Sequence, residues 1–93
     1  MRWRKMLYHT YKLYSPYGTV SIFHYKNTKT GDLINLETSE KRKGYGTILV
    51  NLAIAKAKKM KLKRLRVRVM DTEEANLFWK TFGIKKFGIL TIS

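Results

Sequence analysis

The stretch Lys41-Arg42-Lys43-Gly44-Tyr45-Gly46-Thr47 divides the chain into two halves of different pattern. Before it, apolar and polar residues alternate in the manner of strands; after it comes the longest helical pattern in the sequence. Two glycines within three residues let the backbone approach a ligand closely. The helix that follows aims its free N–H groups and positive dipole end at the same point. A loop–helix junction of this kind holds an anion, most often phosphate. Lys41, Arg42 and Lys43 add to the attraction.

Downstream, residues 47–60 contain Ile48, Leu49, Leu52, Ala53 and Ala57 with no Gly or Pro, which predicts a helix with a wide apolar stripe lying across a sheet. Lys56, Lys58, Lys59 and Lys61 complement its C-terminal dipole. Arg64-Leu65-Arg66-Val67-Arg68-Val69 is the cleanest period-two segment and predicts a strand with one apolar and one cationic face. A strand–helix–strand order implies a crossover, so this strand should run parallel to residues 33–38. Asp71-Thr72-Glu73-Glu74 reads as a helix start, with Ala75, Phe78, Trp79 and Phe82 on its buried side and Gly83 at its end. Residues 87–92 read as a last strand.

Upstream, residues 6–14 read as a strand rich in Leu and Tyr, residues 15–18 as a turn built on Pro16 and Gly18, and residues 19–26 as a central strand. Residues 27–32 read as a polar hairpin connection. In residues 33–38, simple alternation puts Leu33, Asn35 and Glu37 on one face and Ile34, Leu36 and Thr38 on the other. The expectation is one α+β domain over residues 1–93: a mixed, mostly antiparallel sheet with two helices, and the glycine loop at the C-terminal end of a strand. Ligands commonly bind at such a place in open α/β sheets.

Composition narrows the function classes. The chain has 93 residues, 44% of them apolar, and no cysteine, so disulfides, thiolate metal sites and a Cys nucleophile are excluded. The absence of cysteine agrees with a cytoplasmic protein. No apolar run approaches the ~20 residues that cross a bilayer, and the basic start Met1-Arg2-Trp3-Arg4-Lys5 has no signal-peptide hydrophobic stretch behind it. Twenty Lys+Arg against six Asp+Glu give a net charge of +14. Such a field attracts polyanions: nucleic acid, an anionic membrane face or a multiply phosphorylated cofactor. A Lys-rich surface serving solubility or life at high temperature is the alternative.

Two segments in this order resemble the GNAT family of acyl-CoA-dependent N-acetyltransferases. Residues 41–46 are similar to the family's (Arg/Gln)-x-x-Gly-x-(Gly/Ala) pyrophosphate loop. Ala75-Asn76-Leu77-Phe78-Trp79-Lys80-Thr81-Phe82-Gly83-Ile84 is similar to its late signature of Ala, an aromatic pair, a basic residue and Gly-Phe. The resemblance covers roughly residues 5–92 and implies acetyl-CoA as cosubstrate and an amine as acceptor. It implies that backbone N–H groups of residues 42–47 cradle the pyrophosphate. It also implies that the main chain of Leu36, Glu37 and Thr38 pairs with the pantetheine arm. Lys41, Arg42, Lys43, Gly44, Tyr45, Gly46, Thr47, Trp79 and Lys80 complete the expected cofactor-binding set, with Arg42, Lys43 or Lys80 reaching the ribose phosphate.

The departures from the family pattern are informative. Lys41 stands where Arg or Gln is usual, and Ile84 where Phe is usual. Trp79 occupies the position where many members carry a Tyr general acid, and an indole N–H only donates hydrogen bonds. That role is vacant, or is filled by Tyr45 or by water. The turn at residues 15–18 leaves no room for the two helices that usually shape the acceptor pocket. Glu37 is the candidate general base, being a carboxylate beside the loop; a solvated strand residue is the alternative. His9 and His24 have no metal-ligand partners at a useful spacing, and no metal site is expected.

Tyr8, Tyr11, Tyr14 and Tyr17 with Lys12 can stack on bases, or fill the core or a dimer contact. The Arg64, Arg66 and Arg68 ladder can contact phosphates, or be a solvated sheet face. Two functions therefore stand side by side: an acetyl-CoA-dependent N-acetyltransferase, and a basic module of weak or absent catalysis that binds nucleic acid or a protein. An exposed sheet edge and an uncovered face further suggest a homodimer.

Overall fold

In the computed structural model, residues 1–84 and 88–92 are described. Six strands form one sheet in the order β1-β2-β3-β4-β5-β6: β1 Arg2–Lys5, β2 Thr10–Ser15, β3 Gly18–His24, β4 Thr30–Thr38, β5 Arg64–Val67 and β6 Ile89–Thr91. Helix α1, Tyr45–Lys59, connects β4 to β5; helix α2, Glu73–Lys80, connects β5 to β6. All neighbours are antiparallel except β4 and β5, which run parallel, as the crossover around the glycine loop requires. The fold is α+β, with a mostly antiparallel sheet and two helices.

Paired residues share a face, which sorts the sheet into two surfaces. Leu13 with Val20, Ile22 with Leu33, and Leu33 with Val67 point to one side, together with Leu65 and Leu90. On that side α1 lays Leu49, Val50, Ala53 and Ala57, all fully buried. Each fully buried Leu or Ile contributes roughly 1.5–3 kcal/mol relative to exposure, so this apolar layer is the main source of stability. Trp79 of α2 joins the same cluster. Its neighbours Phe78 and Phe82 pack edge-on against one another, with ring centres 5.5 Å apart. Thr72 caps α2 by accepting from the Ala75 N–H at 3.1 Å. After α2, Gly83 turns the chain at φ +75° and the Ile84 N–H returns to the Trp79 carbonyl.

The sheet departs from the sequence expectation at its start. Residues 6–9 form a turn, with Tyr8 and His9 at positive φ, and the short strand Arg2–Lys5 pairs with β2. The meander therefore has four antiparallel strands where three were expected. Arg2-Trp3-Arg4-Lys5 alternates over too few residues to announce itself, and only Trp3 is half-buried. Of the four tyrosines, Tyr8 is exposed in that turn and Tyr11 faces α1, where the Lys56 ammonium lies 5.2 Å from its ring centre. Tyr14 points to the opposite surface, and Tyr17 packs edge-on against Tyr45 at 5.3 Å. Strand β4 starts three residues earlier than expected, β5 ends two earlier, and α1 begins at Tyr45. Of the last expected strand, Ile89–Thr91 is observed and Phe87 lies outside the described residues.

The second correction lies in β4. Asn35 sits at φ +53°, and the β3–β4 register slips by one between Thr19 and Ser21. This is a bulge, and Asn is among the few residues that tolerate its left-handed conformation. The extra residue resets the alternation. Glu37 pairs with Thr19 and faces away from the helices; Thr38 pairs with Gly18 and faces them, and Leu36 returns to the core. Glu37 is thus on the face opposite Leu33, where unbroken alternation had put the two together.

The surface away from the helices is uncovered. One cluster on it ties β4 to β5: Arg66 pairs with Asp32 at 2.8 Å and also donates to the Tyr25 hydroxyl, which in turn donates to Asp32 at 2.6 Å. The Arg66 guanidinium also lies 4.9 Å from the Tyr25 ring centre. Burial pushes the Asp32 carboxyl up, but hydrogen bonds from Arg66 and Tyr25 and the Arg66 charge outweigh it, and the net displacement is downward from 3.8. The hydrogen bond to Asp32 chiefly raises the Tyr25 phenol. Arg64 is held less strongly, donating to the Thr30 hydroxyl at 3.1 Å and 3.3 Å.

Two measurements probe this packing. The folded Asp32 carboxyl titrates below its ordinary value of 3.8, so its stabilisation is complete above that range and is lost as pH falls through the lowered value. Urea titrations should therefore find wild type more stable than Asp32→Asn at pH 6, with the gap closing towards pH 3; a constant gap contradicts the assignment. At the start of α1, a Cβ on Gly46 would lie 3.1 Å from Phe78 Cε1 and 3.3 Å from Phe78 Cζ. Gly46→Val should cost about 1–3 kcal/mol through overpacking. Adding Phe78→Ala should recover part of that loss in a double-mutant cycle, whereas additive losses would deny the contact.

Candidate functional site

The loop after β4 ends in an unusual helix start. Gly44 is the N-cap of α1, in the left-handed conformation at φ +73°, and no side chain caps the first turn. The first turn of α1 has no acidic residue either. The N–H groups at that end therefore have no side-chain cap, and the space over them is bordered by Glu40 and Glu74 as well as by the loop cations. Arg42, also at positive φ (+60°), bends the loop around the same space. The two glycines have different work. A Cβ on Gly44 would meet nothing within 4 Å, so the space over it is open for a ligand, whereas Gly46 is closed off by Phe78.

A hollow of about 600 Å³ lies over this helix start, bounded by Leu36, Thr38, Lys41, Arg42, Tyr45 and Phe78 among others. Gly44, Gly46 and Thr47 line it as well. It continues into a second hollow of about 630 Å³, with which it shares Leu36, Glu74 and Phe78. The second hollow exists because the sheet opens. The β4–β5 ladder ends at Leu33 and Val67, while β4 runs on to Thr38 against β3 alone. The edge of residues 34–38 that faces β5 has no ladder partner, and an extended ligand can pair with it as an added strand.

Ile34 and Arg68, which reach the uncovered face, line the second hollow together with Trp79. A third hollow of about 460 Å³ on that face shares Leu33, Ile34 and Arg68 with the second. Through these shared walls the three hollows adjoin as one passage, from the glycine loop on the helix side, along the gap between β4 and β5, to the bare surface.

Most of the residues singled out in the sequence gather here, but not all. Leu36, Thr38, Lys41, Arg42, Gly44, Tyr45, Gly46 and Thr47 line the first hollow. Trp79 is buried and walls the second. Lys43 and Lys80 are exposed and line none of the three hollows. Glu37 is exposed on the bare face and lines none of the three hollows. Tyr45, half-buried, keeps its ring edge on Tyr17. His24 is engaged locally, a ring nitrogen lying 2.8 Å from the Thr28 carbonyl in the β3–β4 hairpin.

Sequence reasoning missed Phe78, Glu74 and Glu40 as walls, and the bulge at Asn35. A signal for Asn35 was present: Leu33-Ile34-Asn35-Leu36 can put Leu33 and Leu36 on one face only if an extra residue is inserted between them. Among the described residues, no three His, Asp or Glu side chains converge as metal ligands, and no helix is long and apolar enough to cross a membrane.

The geometry is an uncapped helix start under an open hollow, beside a gap between two parallel strands. Compared with protein-family models, residues 6–84 match the acetyltransferase (GNAT) family. No curated protein and no solved structure matches the chain. The match spans the glycine loop, the opened strand pair and all of α2, the three parts from which the passage is made. The chain belongs to the acetyltransferase (GNAT) family.

Proposed function

We propose that the protein binds acetyl-CoA along the passage and transfers its acetyl group to an amine that enters from the bare face. The observation that carries this reading is the adjacency of the three hollows across the β4–β5 gap: one cosubstrate can occupy the helix side while an acceptor reaches the same gap from the other. The backbone N–H groups of residues 42–47 hold the pyrophosphate, with Gly44 supplying the room. Of the cations considered for the ribose phosphate, Arg42 is the one that lines the hollow. The main chain of Leu36, Glu37 and Thr38 pairs with the pantetheine arm.

Bound acetyl-CoA supplies an activated thioester. The acceptor nitrogen bonds to the acetyl carbon as the carbon–sulfur bond breaks, and the sulfur leaves with a proton. A β4 amide near Leu36 donates to the carbonyl oxygen as charge develops on it. Glu37, on the bare face, accepts the proton of the entering amine. The Tyr45 phenol, on the wall of the first hollow, protonates the leaving sulfur, a role closed to Trp79 because indole only donates hydrogen bonds.

Isothermal titration tests the ligand. Acetyl-CoA should give a saturable heat in the micromolar range, and Gly44→Arg, which fills the cradle, should abolish it. No heat at high micromolar ligand in wild type would sink the reading. Rates with a panel of amines test the chemistry. Glu37→Gln should lower kcat about 10²-fold at unchanged acetyl-CoA affinity, and Tyr45→Phe should lower it by a similar factor. An unaltered kcat in both variants would remove these residues from proton transfer.

A further inference from the structure

The uncovered face has a strong charge bias. By register it carries Arg2 and Arg4 of β1, Lys12 of β2, and Arg64 and Arg66 of β5. Arg68 continues the same alternation past the end of β5. Against these six cations the face holds two carboxylates, Asp32 and Glu37, and Asp32 is already occupied by Arg66 and Tyr25. Between the cations lie rings and apolar side chains: Tyr14, 41% exposed, Ile89, 52% exposed, and half-buried Phe23, Tyr25 and Ile34. Arg2, Arg4 and Tyr14 also border a hollow of about 620 Å³ at the β1 edge.

We propose that this face binds single-stranded nucleic acid, RNA or DNA, with the Arg and Lys rows tracking phosphates and Tyr14 offering its ring to a base. The proposal stands on the charge and topology of the face and does not require acetyl transfer, although Arg66 and Arg68 also border the end of the passage where the amine enters. A second copy of the chain is a poor occupant, because two such faces laid together would oppose one net positive surface with another. A single strand fits better than a duplex. A broad, shallow sheet accepts splayed bases beside exposed rings, whereas duplex grooves admit a helix or a two-stranded ribbon. Arg64 uses two of its N–H groups on Thr30 and keeps others for a phosphate.

The test compares two double variants of equal net charge. Arg4→Gln/Arg64→Gln removes two cations from the bare face, neither of which borders the acetyl-CoA passage. Lys58→Gln/Lys59→Gln removes two exposed cations from the far end of α1. Fluorescence anisotropy with labelled dT20 and U20 should show wild type binding with a linear fall of log affinity against log salt. The face variant should bind at least tenfold more weakly at ~0.1 M salt, with a slope shallower by about 0.7 for each phosphate that is no longer neutralised. The α1 variant should change affinity less than threefold, and Tyr14→Ala should weaken binding about tenfold by removing a stacking platform.

Equal losses in the two double variants would mean charge attraction without a site, and would overturn the proposal. So would no binding by wild type at low salt, or tighter binding to a 20-base-pair duplex or to phosphatidylserine vesicles than to the single strands. Thermal unfolding of each variant, run alongside, shows whether a loss of binding is a loss of fold. If the face variant unfolds, the single variants Arg4→Gln and Lys58→Gln, again of equal net charge, carry the same comparison, with Tyr14→Ala beside them.

Discussion

The site depends on where the β4–β5 ladder stops. Two parallel strands that paired to their ends would satisfy each other's backbone groups and leave no room between them. Here pairing ends at Leu33 and Val67, where β5 itself stops, and the bulge at Asn35 follows in β4. The end of the ladder leaves a strand edge facing β5 and a gap between the two strands, and the bulge turns the Glu37 side chain to the bare face. The cost of the left-handed residue is kept small because Asn, rather than a β-branched residue, stands there.

The two glycines of the loop differ in their surroundings. Gly44 is open above, and its positive φ aims the first N–H groups of α1 at the hollow. Gly46 is needed for contact within the protein, since Phe78 of α2 lies against it. The aromatic cluster of α2 therefore holds the cradle in place from behind, through Phe78, while Trp79 lines the gap beyond it. The loop and the α2 signature lie well apart in sequence but act as one structural unit.

Much of this was legible in the sequence, for identifiable reasons. The parallel strand and both helices followed from strong periodicity: Arg64, Arg66 and Arg68 alternate with buried Leu65 and Val67, and α1 carries a wide apolar stripe. Thr72 as a cap and Gly83 as a terminator followed from local backbone chemistry. What was not legible depended on short or interrupted patterns. Strand Arg2–Lys5 offers one half-buried residue, and the bulge at Asn35 reverses an alternation that otherwise reads smoothly. Partners across the fold, such as Phe78 against Gly46 or Tyr25 against Arg66, are set by tertiary approach and leave no trace in spacing. The Arg ladder shows the same limit: its exposed face was readable, but the engagement of Arg64 and Arg66 with Thr30 and Asp32 was not.

The central claim is that one ligand lies from the glycine loop into the strand gap. Backbone amide shifts followed by NMR during addition of acetyl-CoA test it most directly. The account predicts that the amides of residues 42–47 and of Leu36, Glu37 and Thr38 shift together along a single saturable curve, while those of Arg2–Lys5 stay in place. Shifts confined to scattered surface lysines, or absent from residues 36–38, would contradict it.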